Sequence, residues 1–431
     1  MTTSSAAVDT PEHSGKALTH AAIVIIVGVF STTLGLTQVL ARIPIQNLLK
    51  NSLHVDRAAN AAFLFWTTLP WYFKPISGIV TDAFPLWGSR RRSYILLSTL
   101  LAVLCWIGLI YTPREYNKLL WVAITINVFT VIASTVVGGY MVEVAQATSG
   151  SGRLTAIRNV VSNLCTLIAG PAAGYLAGVA FGWTAAACGG VMFLLVPVTM
   201  LFLHEKRIKI DSDQLMANAG QQLRNIIAAK AMWAAAGLMA LFYIAPGLST
   251  ALFYKQQNDL HMSTEVQGYL QLVASVTGVI ASIAYGFYCR RIGLRTLLFG
   301  CLLIATVFNL GYMFYTSFGR AQFIDGLNGF GYNLAELSLM DLAIRATPKG
   351  SEGMGFSLMI SVRNFALYGT DWIGAKLLDA YHVSFNSLVV ANSLTTLAAV
   401  PLIFLLPRLL ISKKDAEIYE EPSAPRTAVQ Q

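Results

Sequence analysis

Stretches of about twenty apolar residues recur along this chain, and they constrain its fold more than any other feature. A helix needs about 20 such residues to cross the hydrocarbon core of a bilayer. Twelve stretches qualify: 20–41, 59–81, 93–112, 119–142, 154–180, 183–203, 231–254, 264–288, 296–316, 321–345, 354–379 and 384–407. They are numbered here spans 1 to 12. Charged residues make up only 12% of the 431 residues, against about 25% in a soluble domain. That is too few to cover the surface of two or three soluble domains. Ordinary Gly and few Pro exclude collagen and low-complexity disorder. The expected fold is all-α: a polytopic membrane protein with 12 transmembrane helices in two six-helix bundles.

The net charge of +9 does not point to nucleic acid, because the basic residues fall in short clusters between spans. Such clusters set topology. Twenty Lys and Arg lie on the side of the termini, seven on the other, and three (Lys74, Arg363, Lys376) within spans. This bias places both termini in the cytoplasm of a multi-pass protein of the cell (inner) membrane. The expected divisions are a disordered cytoplasmic tail at 1–19, a six-helix bundle at 20–203, a cytoplasmic linker at 204–230, a second bundle at 231–410 and a disordered tail at 411–431. Residues 1–19 lack the pattern of a signal peptide. In the linker, Leu215, Leu223, Ile226 and Ile227 recur among polar residues, as in a helix lying on a membrane surface.

Five scattered cysteines show no metal-ligand spacing, and the six histidines form no HExxH cluster. No metal site and no cofactor is expected. A membrane-embedded transferase would need an acidic metal cluster or a His–Asp pair; no DDxxD or HxxxD occurs, and no histidine lies deep in a span. No GxxxxGK[ST] loop is present to bind ATP, so an ion gradient is the expected source of energy.

The loops after spans 2 and 8 match. The first reads GIVTDAFPLWGSRRRS from Gly78, and the second GFYCRRIGLRT from Gly286. Each carries Gly, ionisable residues, Gly, then Arg. Internal symmetry of this kind marks many secondary transporters. The first loop resembles the signature loop of the major facilitator superfamily, carried here by Gly78, Asp82, Gly88, Arg90, Arg91 and Arg92. The wider block PWYFKPISGIVTDAFPLWGSRRRSY, Pro70 to Tyr94, resembles the folate–biopterin transporter family, a branch of that superfamily. Further matches are IPIQNLLKNSL from Ile43, APGLSTALFYKQQNDL from Ala245 and ATPKGSEGMGFSLMIS from Ala346. The resemblance runs from about residue 30 to 380. It implies alternating access, a folate or pterin as substrate, and a cytoplasmic gate built from Asp82 and the Arg90–Arg92 run. Arg363 and Asp371 depart from the small or weakly polar residues expected in span 11.

Ionisable residues inside spans are costly and point to function. Spans 3, 6, 9 and 12 carry essentially none, whereas spans 1, 2, 5, 10 and 11 hold nearly all. In span 1, Ser31, Gly35, Gln38 and Arg42 share a helical face. In span 5, Asn159, Ser162, Asn163 and Thr166 form a stripe beside Arg158. In span 10, Asp325, Asn328, Tyr332 and Glu336 lie within about 80° of arc. Candidate substrate residues are therefore Gln38, Lys74, Asn127, Arg158, Asn163, Asp325, Tyr332, Arg363 and Asp371. A pterin presents an amidine-like edge that Glu336, Asp325 or Asp371 could accept. A glutamate tail needs cations such as Lys74, Arg158 or Arg363. Trp66, Trp71, Tyr72, Tyr332 and Phe365 could stack on a flat ring. Glu336 has no basic residue at i±3 or i±4, which makes it the expected proton carrier. The partners are a small-molecule substrate, protons and the lipid bilayer, with no nucleic acid, and the protein is expected as a monomer. S-adenosylmethionine, a siderophore or a drug remain alternative substrates, and an embedded transferase a weaker alternative activity.

Overall fold

A computed structural model describes residues 11–148, 151–203, 205, 212–289, 291–347 and 352–406. Every one of the twelve stretches is helical, and the described residues contain no strand, only a Leu86–Ser89 bridge. Among the described residues, seven helical stretches are long and apolar enough to cross a membrane: Arg92–Tyr111, Tyr116–Met141, Val160–Gly178, Phe181–Phe202, Thr264–Tyr288, Leu294–Phe314 and Phe385–Leu405. The others are interrupted or carry charge. Span 1 runs as Pro11–Leu34, then turns, then Arg42–Asn47. Span 2 is three pieces, Arg57–Thr67, Leu69–Tyr72 and Lys74–Ala83. Span 7 is two, Lys230–Tyr243 and Ser249–Asn258. The chain divides into two compact units. Unit 1 comprises 1–55 and 66–219, and unit 2 comprises 56–65 and 220–431. The division falls inside the linker, and the start of span 2 belongs to unit 2.

In unit 1, span 3 packs on spans 4 and 6, and span 1 packs on spans 4, 5 and 6. Small residues set the closeness of these crossings. A side chain at Gly28 would meet Val137, and one at Gly35 would meet Met192. Gly35 is also where the first helix of span 1 has ended. Its free carbonyl accepts from the indole of fully buried Trp106 at 3.1 Å. The stripe expected from Ser31 to Arg42 is therefore not one continuous helical face.

Unit 2 is built on spans 8, 9 and 10, with spans 7, 11 and 12 packed around them. A core of Met232, Met239, Leu298, Leu302, Leu339, Met359 and neighbours fills it, and Ile226 from the linker helix Ser212–Ala228 joins that core. The same helix exposes Leu223 and Ile227. Span 7 breaks at Pro246–Gly247, where unwound backbone lies against span 11. Gly247 N–H donates to Thr370 O at 2.9 Å, Thr370 Oγ1 donates to Tyr243 O at 2.9 Å, and Asn392 Nδ2 donates to Pro246 O at 2.7 Å. Non-helical backbone at membrane depth survives only where the protein satisfies it in this way. The approach requires glycine on both sides: a Cβ at Gly374 would collide with the Gly247 carbonyl, and one at Gly247 would lie 2.6 Å from Asp371 N.

Candidate functional site

In unit 1 the break in span 2 places Lys74 at the first residue of the helix Lys74–Ala83, with Pro70 and Pro75 at the starts of the two adjoining pieces. Pro is pre-organised for a helix start, and its ring prevents one helix from running through both. Lys74 Nζ lies 4.4 Å from the centroid of the Trp71 ring and donates weakly to Ser134 Oγ at 3.4 Å. Arg158 stands within electrostatic reach of it. Neither cation has an acidic partner among the described residues. A cation at a helix N-terminus is also opposed by the helix dipole. Three positive elements thus stand together with no acidic partner among the described residues. Arg158 and Asn163, on one helix, are both exposed.

Gln38 and Asn127 both make hydrogen bonds within unit 1. Asn127 is fully buried, accepts from Thr37 N at 3.3 Å, and donates to Thr37 Oγ1 and Thr67 O, both at 2.7 Å. It holds the break of span 1 against the break of span 2, with both amide hydrogens used. Gln38 Nε2 donates to the hydroxyls of Thr67 and Thr68, both at 3.1 Å, while its Oε1 keeps acceptor capacity.

In unit 2 the structure brings together Glu336, Arg363, Tyr332 and Tyr243. Arg363 pairs with Glu336 at 2.5 Å, donates to Tyr243 Oη at 3.2 Å and to Asn364 Oδ1 at 2.8 Å, and lies 5.3 Å from the centroid of the Tyr243 ring. Tyr332 meets Phe242 and Tyr243 at ring distances of 6.4 and 6.5 Å. Glu336 has no cation at i±3 or i±4 on its own helix, but it has one from span 11. Phe365 belongs to a separate aromatic group with Phe65, 5.7 Å away.

Asp371 and Asp325 are each engaged by hydrogen bonds within unit 2. Asp371 accepts from Thr250 N at 3.0 Å and Thr250 Oγ1 at 2.6 Å. It caps the second helix of span 7, while Arg363 is taken by Glu336. Asp325, 6% exposed, accepts from Tyr315 Oη at 2.7 Å and Tyr312 Oη at 3.3 Å. The span 10 stripe therefore splits: Asp325 and Asn328, which donates to Phe308 O at 3.0 Å, face span 9, whereas Tyr332 and Glu336 face Arg363 and Tyr243.

The loop after span 2 is held by a residue that motif reading passes over. Glu205 accepts from three consecutive amides, Arg90, Arg91 and Arg92, at 3.0 to 3.1 Å, and from Ser89 Oγ at 2.6 Å. Burial alone would raise its carboxyl, but the Ser89 hydroxyl and the three N–H groups hold it below the usual carboxylate range. Together they cap the helix Arg92–Tyr111. The only sequence signal is one acid in the basic run HEKRIK. Gly88 turns the loop at φ 78°, and Gly78 lies where a Cβ would be 3.6 Å from Thr135. Arg91 is buried with its guanidinium over Gly139. The side chain of Asp82 lies outside the described residues, so the expected pairing with the arginine run does too.

The profile of the BT1 family matches residues 34–424. A folate-biopterin transporter of Synechocystis sp. is 25% identical over 390 residues, covering 85% of this chain and 78% of that protein. Folate transporter 1 of Plasmodium falciparum is 23% identical over 396 residues, covering 86% and 77%. Among solved structures, a D-xylose–proton symporter overlays with a TM-score of 0.66 at 12% identity, covering 91% of this chain and 98% of that one. A peptide transporter POT in complex with sulfate overlays with a TM-score of 0.68 at 11% identity, covering 91% and 93%. These likenesses establish the major facilitator type of fold and a transport function, not an enzymatic one. The chain is a multi-pass membrane transporter, and it belongs to the BT1 family.

Proposed function

We propose that this protein is a secondary active transporter of a folate or pterin, working by alternating access and driven by a proton gradient. It acts as a monomer in the cell (inner) membrane with both termini in the cytoplasm. The observation that carries the reading is the positive cluster of Lys74, Arg158 and the start of the helix Lys74–Ala83, which has no acidic partner among the described residues. Such a cluster is complete only with an anion. The carboxylates of a glutamate tail supply one. Family membership and the names of the relatives support the substrate class.

Unit 2 supplies chemistry for the ring. The Glu336 carboxylate can accept two hydrogen bonds from an amidine-like edge, and Tyr243 and Tyr332 offer flat surfaces. Substrate would then compete with Arg363 for Glu336, so binding rearranges an ion pair already present. The test is a thermal-shift screen of purified protein against folates, pterins, S-adenosylmethionine and ferric siderophores. A ligand of the native state raises its apparent stability. Folates and pterins are expected to do so. Stabilisation by one of the other solutes alone would overturn the proposed substrate class.

A further inference from the structure

We propose that Asp325, with the hydroxyls of Tyr312 and Tyr315, is the proton-binding site of this carrier. This rests on the proton-driven transport proposed above and moves the proton from Glu336 to a second place in the same helix.

Four other acids of unit 2 have charged or backbone partners. Glu336 pairs with Arg363, Asp341 with Arg345 at 2.8 Å, and Asp379 with Arg57 at 2.9 Å. Asp371 accepts a backbone amide and a hydroxyl at a helix start. An embedded carboxylate kept only for structure is paired in these ways, because an unbalanced charge in a low dielectric is costly. Asp325 is treated differently. Among the described residues its two oxygens accept only from neutral phenols, and Tyr315, itself 1% exposed, is steadied by Gln256 Nε2 at 2.7 Å. Apolar Leu270, Ala321 and Ile324 close the site.

Other ionisable groups on the surrounding elements are engaged elsewhere or do not touch it. Lys255 pairs with Asp259 at the end of span 7. Tyr269 of span 8 accepts from Gln322, and Arg320, on Asp325's own helix, donates to Thr316 Oγ1. Glu265 and His261 make no contact with the carboxylate among the described residues.

This geometry serves both protonation states. The anion accepts two O–H bonds. The neutral acid carries its proton on Oδ1, the oxygen held more loosely at 3.3 Å, and donates it to the Tyr312 oxygen while Tyr315 stays in place on Oδ2. Asp325 lies seven residues into the helix Phe318–Ala346, ~10 Å along its axis from the end facing away from the cytoplasm in the proposed topology. A proton can therefore be loaded near one face while substrate is read deeper in the same unit.

The test is an infrared pH titration of purified full-length protein without substrate, followed by proton-gradient-driven uptake in proteoliposomes. A protonated buried carboxyl gives a carbonyl stretch distinct from that of a carboxylate. That band should vary with pH in the wild type, be missing in Asp325→Asn, and titrate with a displaced midpoint in Tyr315→Phe. Asp325→Asn should also lose the pH dependence of uptake. An unchanged band in Asp325→Asn, or an undisplaced midpoint in Tyr315→Phe, would overturn the proposal. The same holds if Asp325→Asn keeps the wild-type pH dependence of uptake. Because the titration uses no substrate, an error in the substrate class leaves its result unchanged and is detected separately by the thermal-shift screen.

Discussion

Lys74 shows how one residue's position decides its role. It opens a helix, faces an aromatic ring and has a second cation near it, yet the protein supplies no acid among the described residues to neutralise it. A structural charge would have been given a partner. Lys74→Met removes the charge and keeps most of the volume, so the fold should lose little. We expect detergent-solubilised Lys74→Met to melt within a few degrees of wild type while substrate uptake is abolished. A variant that fails to insert or melts far lower would instead mark the lysine as part of the scaffold. The sequence shows the depth of Lys74 and the absence of a local acid. It does not show that Glu336 has Arg363, because that pair joins two helices and i±4 reasoning sees only one.

Among the helices, the length of the apolar runs is legible in the sequence because hydrophobic length is a local property. The interruptions are not. The breaks at Gly35 and Gly247 occupy corresponding helices of the two sequence halves, as expected where transporters bind their cargo. Each break is satisfied by groups distant in sequence. Asn127 reaches Thr37, 90 residues away, and Asp371 reaches Thr250, 121 residues away. The sequence alone does not show these contacts, since a buried polar group looks alike in a structural and in a binding role. The crossing of spans 7 and 11 predicts that Gly374→Ala forces the Gly247 carbonyl aside. Overpacking of this kind costs about 1–3 kcal/mol. A melting curve should show the loss, and Gly300→Ala, where a Cβ meets open space, should not.

The Glu205 cap leads to a second prediction for a single helix. Its native carboxyl is held low, so its contribution to stability is complete above the ordinary carboxylate range and disappears as pH falls through the lowered native value. Glu205→Gln should cost about 1 kcal/mol near neutral pH, the usual size of a helix cap. It should also flatten the acid limb of the stability–pH curve. Equal acid sensitivity in variant and wild type would contradict the assignment.

For the whole molecule, composition alone separates a membrane carrier from a soluble or nucleic-acid-binding protein, and the Pro70–Tyr94 block points to the family. The chemistry of recognition needs the structure. Glu336 lies beside a tyrosine pair and Arg363, and Lys74 and Arg158 of unit 1 have no acidic partner among the described residues. In the proposed mechanism these groups select a folate or pterin for transport. Counterflow measures that selection: proteoliposomes preloaded with unlabelled folate are diluted into a trace of labelled folate, with pterins and S-adenosylmethionine as competitors. The expected result is transient accumulation of label, suppressed by external pterin and not by S-adenosylmethionine, and absent with Lys74→Met. Accumulation that only S-adenosylmethionine suppresses, or no exchange of folate or pterin by wild-type protein, would contradict the proposed selectivity.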